Sequence, residues 1–363
     1  MLHPLIQPGA QLTPEIDLAL ALIAQSARTS DQLGVPRGHI DLLASVGAHG
    51  ITREVSQQRE LIERLAGADA STWFCWTQHQ TPLNTILAGG NQSASAELSQ
   101  RWLKGMENGE LLAAIASAHV RRGGPPNPVA KKVMDGWELT GKLDWITSWD
   151  IADVLMMLAA TEDKSQFVIF YLPIDGFEEQ FESCVVGEPL KLFAMSGTHS
   201  KPITFDHTFI SSDFVFSIID SQDWLNVDSA KTVLPNPAVL GVARAAIEQL
   251  NEVSIARAEE TGQIAAGNLA QEFERLRAQA YGAIDNSQTP RSELVNLRVQ
   301  TLEFAVTCAV AVITASSGGA MMSGSEAERR VREAMFLQVQ AQTQETRDAA
   351  LARLSWTPNR FFD

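Results

Sequence analysis

Three histidines and three short clusters carry the side chains with which this chain could do chemistry. His79 stands in an apolar, aromatic run, "FCWTQHQ"; His119 precedes two arginines in "AHVRRGGPP"; His199 lies in "SGTHS", a turn between strand-like runs. A histidine near its ordinary pKa can serve as acid or base, and the three rank in that order. His79 equally fits a helix–helix contact, bonded inside a core. Arg121 and Arg122 could hold a phosphate as a charge-assisted pair, or form only a solvated loop. Gly318–Gly319 could let backbone approach a ligand, or simply end a helix. The last cluster, "KLDWITS", puts Trp145 and Thr147 two residues apart just before the strand pattern breaks. Its plain reading is a tryptophan filling the space between sheet and bundle and a threonine paired to a neighbouring strand.

Composition narrows the classes. The 363 residues suffice for two or three domains, and a hydrophobic share of 45% with 20% charged is that of a globular chain. A formal charge of −15 argues against nucleic acid or an anionic membrane as the main partner, since both demand basic patches. Cys75, Cys184 and Cys308 are odd in number and lack a metal-ligand spacing, so a reduced, cytoplasmic compartment and no metal are expected. The start, "MLHPLIQPGAQL", has no basic and apolar leader pattern. The most apolar run, Phe304 to Ala315, is shorter than the roughly 20 residues of a membrane span, and reads as the buried centre of a bundle.

The elements that must position these residues fall into three parts. Up to about residue 112 the pattern is helical, opening with Thr13 as N-cap and Pro14 at the first helical position. From "LLAAIASAHV" to "FVFSIID" short strands are expected: "WELTG", "KLDWITS", "VLMMLAA", "QFVIFYLP", "PLKLFAM" and "PITFDHTFI". Helices then return. Asn236–Pro237 and Thr289–Pro290 repeat the cap pairing, and "EAERRVREAMFLQVQAQTQETRDAALARL" follows as a further helix. Long helices with short breaks predict an antiparallel bundle.

This order, and five segments within it, resemble the acyl-CoA dehydrogenase superfamily of flavoproteins, which includes flavin-dependent monooxygenases and nitroalkane oxidases. "RWLKGMENGELLAAIA" is similar to the last N-terminal helix and its step into the first strand. "DGWELTGKLDWITSWDIADVLMMLA" is similar to the strand pair around the flavin, and "SGTHSKPITFDHTFISSDFV" to a late β segment. "GVARAAIEQL" resembles the first bundle helix, and "SSGGAMMSGSEAERRVREAMF" the Gly-Gly turn and the helix after it.

The resemblance implies an α+β fold: an N-terminal helical domain (1–112), a central antiparallel β domain (113–222) and a C-terminal helix bundle (223–363). It implies FAD along Trp145–Ser148. Trp145 would supply an apolar face, Thr147 a hydroxyl near the N5 edge, and Ile146 and Ser148 backbone groups at the pyrimidine end. Ser117, by a one-residue slip, would replace a cofactor-binding threonine. Gly318 and Gly319 would approach the adenosine end, and Arg332 would make an intersubunit or cofactor contact. His79 would roof the substrate pocket, with His119 by the phosphate loop and His199 near the substrate entrance. Homodimers or homotetramers formed through the bundle, and an electron-transfer or reductase partner, are also implied.

Departures limit what the resemblance implies about activity. The family's phosphate-loop serine becomes Gly123 or Gly124. The position of its usual catalytic glutamate is Ala341, followed by Gln342 and Thr343, and "VLPNPAVLGVARAA" holds no Asp or Glu to replace it. An expected cationic loop reads "ARAEETGQI". The expectation is therefore an FAD-dependent oxidoreductase acting on a small or acyl-type substrate without the usual base. The alternatives are a monooxygenase-type relative taking reduced FMN or FAD from a reductase, and a non-catalytic scaffold that binds neither.

Overall fold

The structure is a computed structural model, and it describes residues 4–49, 53–89, 93–121 and 128–355. Five helices come first: α1 (Pro14–Leu33), α2 (Arg37–Ser45), α3 (Val55–Ala68), α4 (Ala70–Gly89) and α5 (Ser93–Asn108). The strands are β1 (Ala113–Ala116), β2 (Val129–Val133), β3 (Gly136–Ile146), β4 (Val154–Thr161), β5 (Gln166–Pro173), β6 (Cys184–Val186), β7 (Lys201–Ser211) and β8 (Val215–Asp220). One short helix, α6 (Phe177–Gln180), interrupts them. The chain continues through α7 (Ser221–Thr232), α8 (Pro237–Ala256), α9 (Glu260–Asp285), α10 (Arg291–Ser316), α11 (Glu326–Leu337) and α12 (Gln344–Leu354). Two compact units result. The larger comprises residues 12–58 and 68–227, the smaller residues 1–11, 59–67 and 228–363.

In the larger unit the strands form one sheet in the order β6-β7-β3-β2-β4-β5-β8, with β1 added beside β4. The sheet is mixed rather than wholly antiparallel, because β4 pairs in parallel with both β1 and β2. The sequence of β4 gives the reason. Leu155, Met157 and Ala159 enter one core with Leu139, Leu143, Phe170 and Phe205. Val154, Met156, Leu158 and Ala160 enter a second with Leu83, Ile86, Trp102 and Tyr171. A strand buried on both faces is apolar throughout, as parallel strands are. Helix α4 contributes to the second core despite Pro82 in its interior, and the Tyr171 hydroxyl donates to the Pro82 carbonyl at 2.8 Å.

Several expectations need revision. "WELTG" and "KLDWITS" belong to one long strand, β3. "PLKLFAM" forms no strand: the β6–β7 ladder stops at Val186 opposite Ile203, and beyond Gly187 only the Leu190 N–H reaches back across, to the Ser200 carbonyl. Helix α10 starts one residue late, because Pro290 is extended (φ −60°, ψ 141°) and caps the helix from outside, while the Thr289 N–H closes a turn on Asn286. The last helical stretch breaks into α11 and α12 around Ala341, whose φ is +50°. Thr343 then caps α12 in a reciprocal capping box.

In the smaller unit, two backbones approach closely. A Cβ on Gly241 of α8 would lie 2.0 Å from the Glu63 carbonyl oxygen, and one on Gly67 would lie 2.8 Å from the Gly241 carbonyl oxygen. This contact brings buried Glu60 and Glu63 against Arg244, Arg277 and Tyr281. Arg244 donates to Glu60 at 2.8 Å, and the Tyr281 hydroxyl donates to Glu63. Burial raises the Glu63 carboxyl to about 7.

Substituting the packing glycine tests the approach. Gly241→Ala should lower the melting temperature by a few °C, since overpacking a backbone contact costs on the order of 1–3 kcal/mol. Gly267→Ala, in an α9 position where a Cβ meets nothing within 4 Å, should be neutral or stabilising through helix propensity. Thermal melts of both variants check this; equal effects would refute it.

Candidate functional site

The site is built on the end of β3. Against β7, Leu143 pairs with Ile203 and Ile146 with Lys201, so β3 carries one residue more than its partner between those points. Such a bulge re-aims side chains. Here it returns Ile146 to the core, where it is fully buried, and turns Trp145 outward, 51% exposed.

Behind this tryptophan lies a chain of buried hydroxyls. Thr147 Oγ1 is 3.2 Å from Ser200 Oγ, Ser200 Oγ is 3.0 Å from Thr198 Oγ1, and Thr198 donates to the Met195 carbonyl at 2.7 Å. The backbone fastens the same turn. The Ser148 N–H donates to the Thr198 carbonyl at 2.8 Å and the Trp149 N–H to that of His199 at 3.1 Å. The Ser148 N–H is thus engaged within the turn. Three residues here are left-handed without being glycine: Ser148 (φ 71°), Met195 (φ 61°) and His199 (φ 51°). Such conformations cost energy and cluster at functional sites. They are held by close packing against α1, where a Cβ on Gly197 would lie 2.1 Å from the Ser30 carbonyl oxygen. Cys75 sits behind the turn with its thiol toward the Thr198 carbonyl, and burial pushes that thiol up to about 12.

His199 is bound into the frame around this turn. Its Nε2 donates to the Val35 carbonyl at 2.9 Å, and its Nδ1 faces Asp150, 3.5 Å away. His79 lies elsewhere, fully buried on α4. Its Nε2 donates to the Met106 carbonyl and its Nδ1 accepts the Ala113 N–H, both at 3.0 Å. Both ring nitrogens thus serve backbone groups, and burial holds the ring well below its ordinary pKa. Its neighbour His49 stacks on it with ring centroids 4.0 Å apart, and neither His49 nitrogen has a hydrogen-bond partner. His119 follows β1 in a 3-10 turn, where its Nε2 donates to the Leu158 carbonyl of β4 at 2.8 Å. Ser117, buried at the same end of β1, closes that turn through its carbonyl.

The remaining expected residues belong to the smaller unit. Gly318 and Gly319 are exposed in a 3-10 turn after α10, with nothing within 4 Å of an added Cβ. Arg332 is held by Glu328 one turn back, at 2.7 Å. A groove of about 520 Å³ in this unit is lined by Gln279, Asn286, Glu293 and Gln300, with Thr289 and Pro290 at the start of α10 also on its wall. Arg122, Gly123 and Gly124 lie outside the described residues; Arg121 ends the turn that begins at Ala118. Among the described residues no group of three or more His, Cys, Asp or Glu is arranged to hold a metal. Ser200, Thr198 and the Met195 carbonyl were missed. The run "SGTHS" carries Thr198 and Ser200 on either side of its histidine, with Met195 just before it.

The two histidines of α4 and its neighbour predict a pH dependence. Burial, with some help from Arg37, lowers His49 to about 4, against about 6.5 in an unfolded chain. A base held neutral in the native state stabilises above its unfolded pKa, and that contribution is lost as pH falls from 6.5 through 4. Urea unfolding at pH 7, 5 and 4 should show this loss, and His49→Phe should flatten it, because the ring nitrogens give up no partner. An unchanged slope in the variant would count against His49 as the cause.

No protein-family model matches the chain, and no curated protein matches it in sequence. Solved structures match it over nearly its whole length. Butyryl-CoA dehydrogenase from Megasphaera elsdenii is 16% identical with a TM-score of 0.71, covering 95% of this chain and 99% of that one. Glutaryl-CoA dehydrogenase from Mycobacterium smegmatis, solved in complex with FADH2, is 15% identical with a TM-score of 0.73, covering 95% of each. KijD3, solved with FMN and a dTDP-linked keto sugar, is 18% identical with a TM-score of 0.71, covering 95% of this chain and 94% of that one. With element order, mixed sheet and C-terminal helices in agreement, the chain has the acyl-CoA dehydrogenase fold.

Proposed function

We propose that the protein is a flavin-dependent oxidoreductase whose cofactor, FAD, lies against the end of β3. The observation that carries this reading is Trp145, turned out of a buried strand beside a hydroxyl chain. The residues fit a flavin ring. A half-exposed indole offers a flat apolar face, and Thr147, two residues along the chain and just past the strand end, carries a hydroxyl with which to meet the ring's polar edge. Solved structures of this fold name FADH2 and FMN as bound groups. When bound, the flavin would supply the redox chemistry. The chain's own part is to seat the ring on Trp145, meet its edge with Thr147 and hold both on a turn fixed against α1.

The substrate is a small or acyl-type molecule. One observation favours a second reading, a monooxygenase-type protein that takes reduced FMN or FAD from a partner reductase. Ala341, at the position of the family's usual glutamate, lies in a left-handed turn between α11 and α12 and has no group that could abstract a proton. A scaffold without flavin is the third outcome. The helical, β and bundle segments (1–112, 113–222, 223–363) are taken as the functional division. Assembly of copies through the bundle is supported by apolar side chains left exposed there, Val310, Met335 and Val339 among them. The stretch Arg291–Met321 is long and apolar enough to span a membrane. It is read instead as a bundle helix, because Arg298 within it donates to the Leu234 and Gln340 carbonyls. Three buried free thiols fit a cytoplasmic location.

Titration of the purified protein with oxidised and reduced FAD and FMN tests the reading, and binding of no form would leave only the scaffold. Trp145→Ala should weaken binding roughly tenfold, the worth of one good aromatic contact, with an unchanged melting temperature because the ring is half exposed. Straight-chain acyl-CoA thioesters should reduce bound flavin slowly, since a missing general base costs about 10²–10⁴-fold. Stopped-flow absorbance checks this, and rapid bleaching would contradict it.

A further inference from the structure

The hydroxyl chain behind Trp145 has a direction. Thr198 donates its hydrogen to the Met195 carbonyl, which can only accept. Its oxygen is then free to accept from Ser200, 3.0 Å away, and the Ser200 oxygen to accept from Thr147, 3.2 Å away. This arrangement makes three hydrogen bonds. Turning Thr147 to donate outward takes its hydrogen away from Ser200, and whichever neighbour Ser200 then donates to, only two of the three inner bonds remain. All three side chains are buried, and Ser148, which follows Thr147, is fastened by its N–H to the Thr198 carbonyl, so the chain cannot readily re-form elsewhere. Each bond is worth about 0.5–1.5 kcal/mol net, which favours the inward arrangement.

We propose that Thr147 therefore presents a hydrogen-bond acceptor and no donor, and that this polarity selects the reduced flavin over the oxidised one. The inference rests on the flavin reading above. It follows from elementary chemistry: the reduced ring carries N–H groups at edge positions where the oxidised ring carries lone pairs. An N–H adds a fourth bond to the intact chain. A lone pair can be met only by reversing Thr147, which breaks the inner bond as the outer one forms. Thr147 is thus a specificity-determining contact, with Ser200 and Thr198 as positioning residues that act through it.

Anaerobic titration of the wild type with oxidised and reduced FAD, together with the redox potential of the bound flavin, tests the proposal. The wild type should bind the reduced form several-fold more tightly, by about three- to tenfold. Ser200→Ala cuts the chain, frees the Thr147 hydrogen to donate outward, and should abolish most of that preference. The potential should fall by up to about 30 mV, the equivalent of tenfold for two electrons. Thr147→Val keeps the shape of the side chain and should weaken only the reduced form; if it weakens the oxidised form more, Thr147 is a donor and the proposal is wrong. It is equally overturned if the wild type and Ser200→Ala share one ratio. Binding without a preference for either form would overturn this inference and leave the flavin reading standing. Binding of neither form would overturn both. If Ser200→Ala melts early, Thr147→Val and the wild-type ratio decide alone.

Discussion

The one extra residue that β3 carries between Leu143 and Ile146, opposite Ile203–Lys201 of β7, is the constraint on which the site depends. Without it, a strand of strict alternation would face Leu143, Trp145 and Thr147 the same way, and Ile146 would face opposite them. The core claims Leu143 and Ile146 together, three positions apart, and an unbroken strand cannot satisfy both. The bulge resolves the conflict, and Trp145 is the side chain it expels. A packing requirement on one face of the sheet thereby creates the flat apolar surface on the other.

What holds that surface still is a turn with little freedom. The 3-10 turn Ser196–Thr198 is pressed on α1 at Gly197, where a Cβ would collide with backbone, and is sewn to the end of β3 by two main-chain bonds. Left-handed residues on either side, Met195 and His199, are tolerated because the frame around them is over-determined. Gly34 belongs to the same frame: a Cβ there would lie 2.6 Å from the His199 ring. The strain and the close packing are found together, as expected where geometry rather than stability is the requirement.

Much of the fold was legible in the sequence because its signals are local. Thr13 and Asn236 announce their helices by capping chemistry, and the Thr13 and Asn236 side chains do accept from the first turn. The failures are non-local. "PLKLFAM" has the alternation of a strand but no partner at the right distance, which no single-chain pattern reveals. Helix α9 went unread because its small residues, Ala265, Ala266, Gly267 and Ala270 among them, dilute the apolar period. At the site, Trp145 and Thr147 stand out by type, whereas Thr198 and Ser200 gain significance only from the hydroxyl contacts they make with Thr147 just beyond the end of the β3–β7 ladder. His79 drew notice as a reactive side chain in an aromatic run, and the structure gives both its nitrogens to the backbone.

The left-handed turn at Ala341 takes its shape from its surroundings. The Gln338–Gln342 region is fixed from outside, by Arg298 donating to the Gln340 carbonyl and Gln338 donating to that of Leu302. Both bonds go to main-chain carbonyls, so the bend between α11 and α12 is held without any contribution from the side chain at its centre. Position 341 can therefore change its side chain without loosening the turn, and the limit on what stands there is the left-handed backbone, which glycine or asparagine would meet more easily than a β-branched residue.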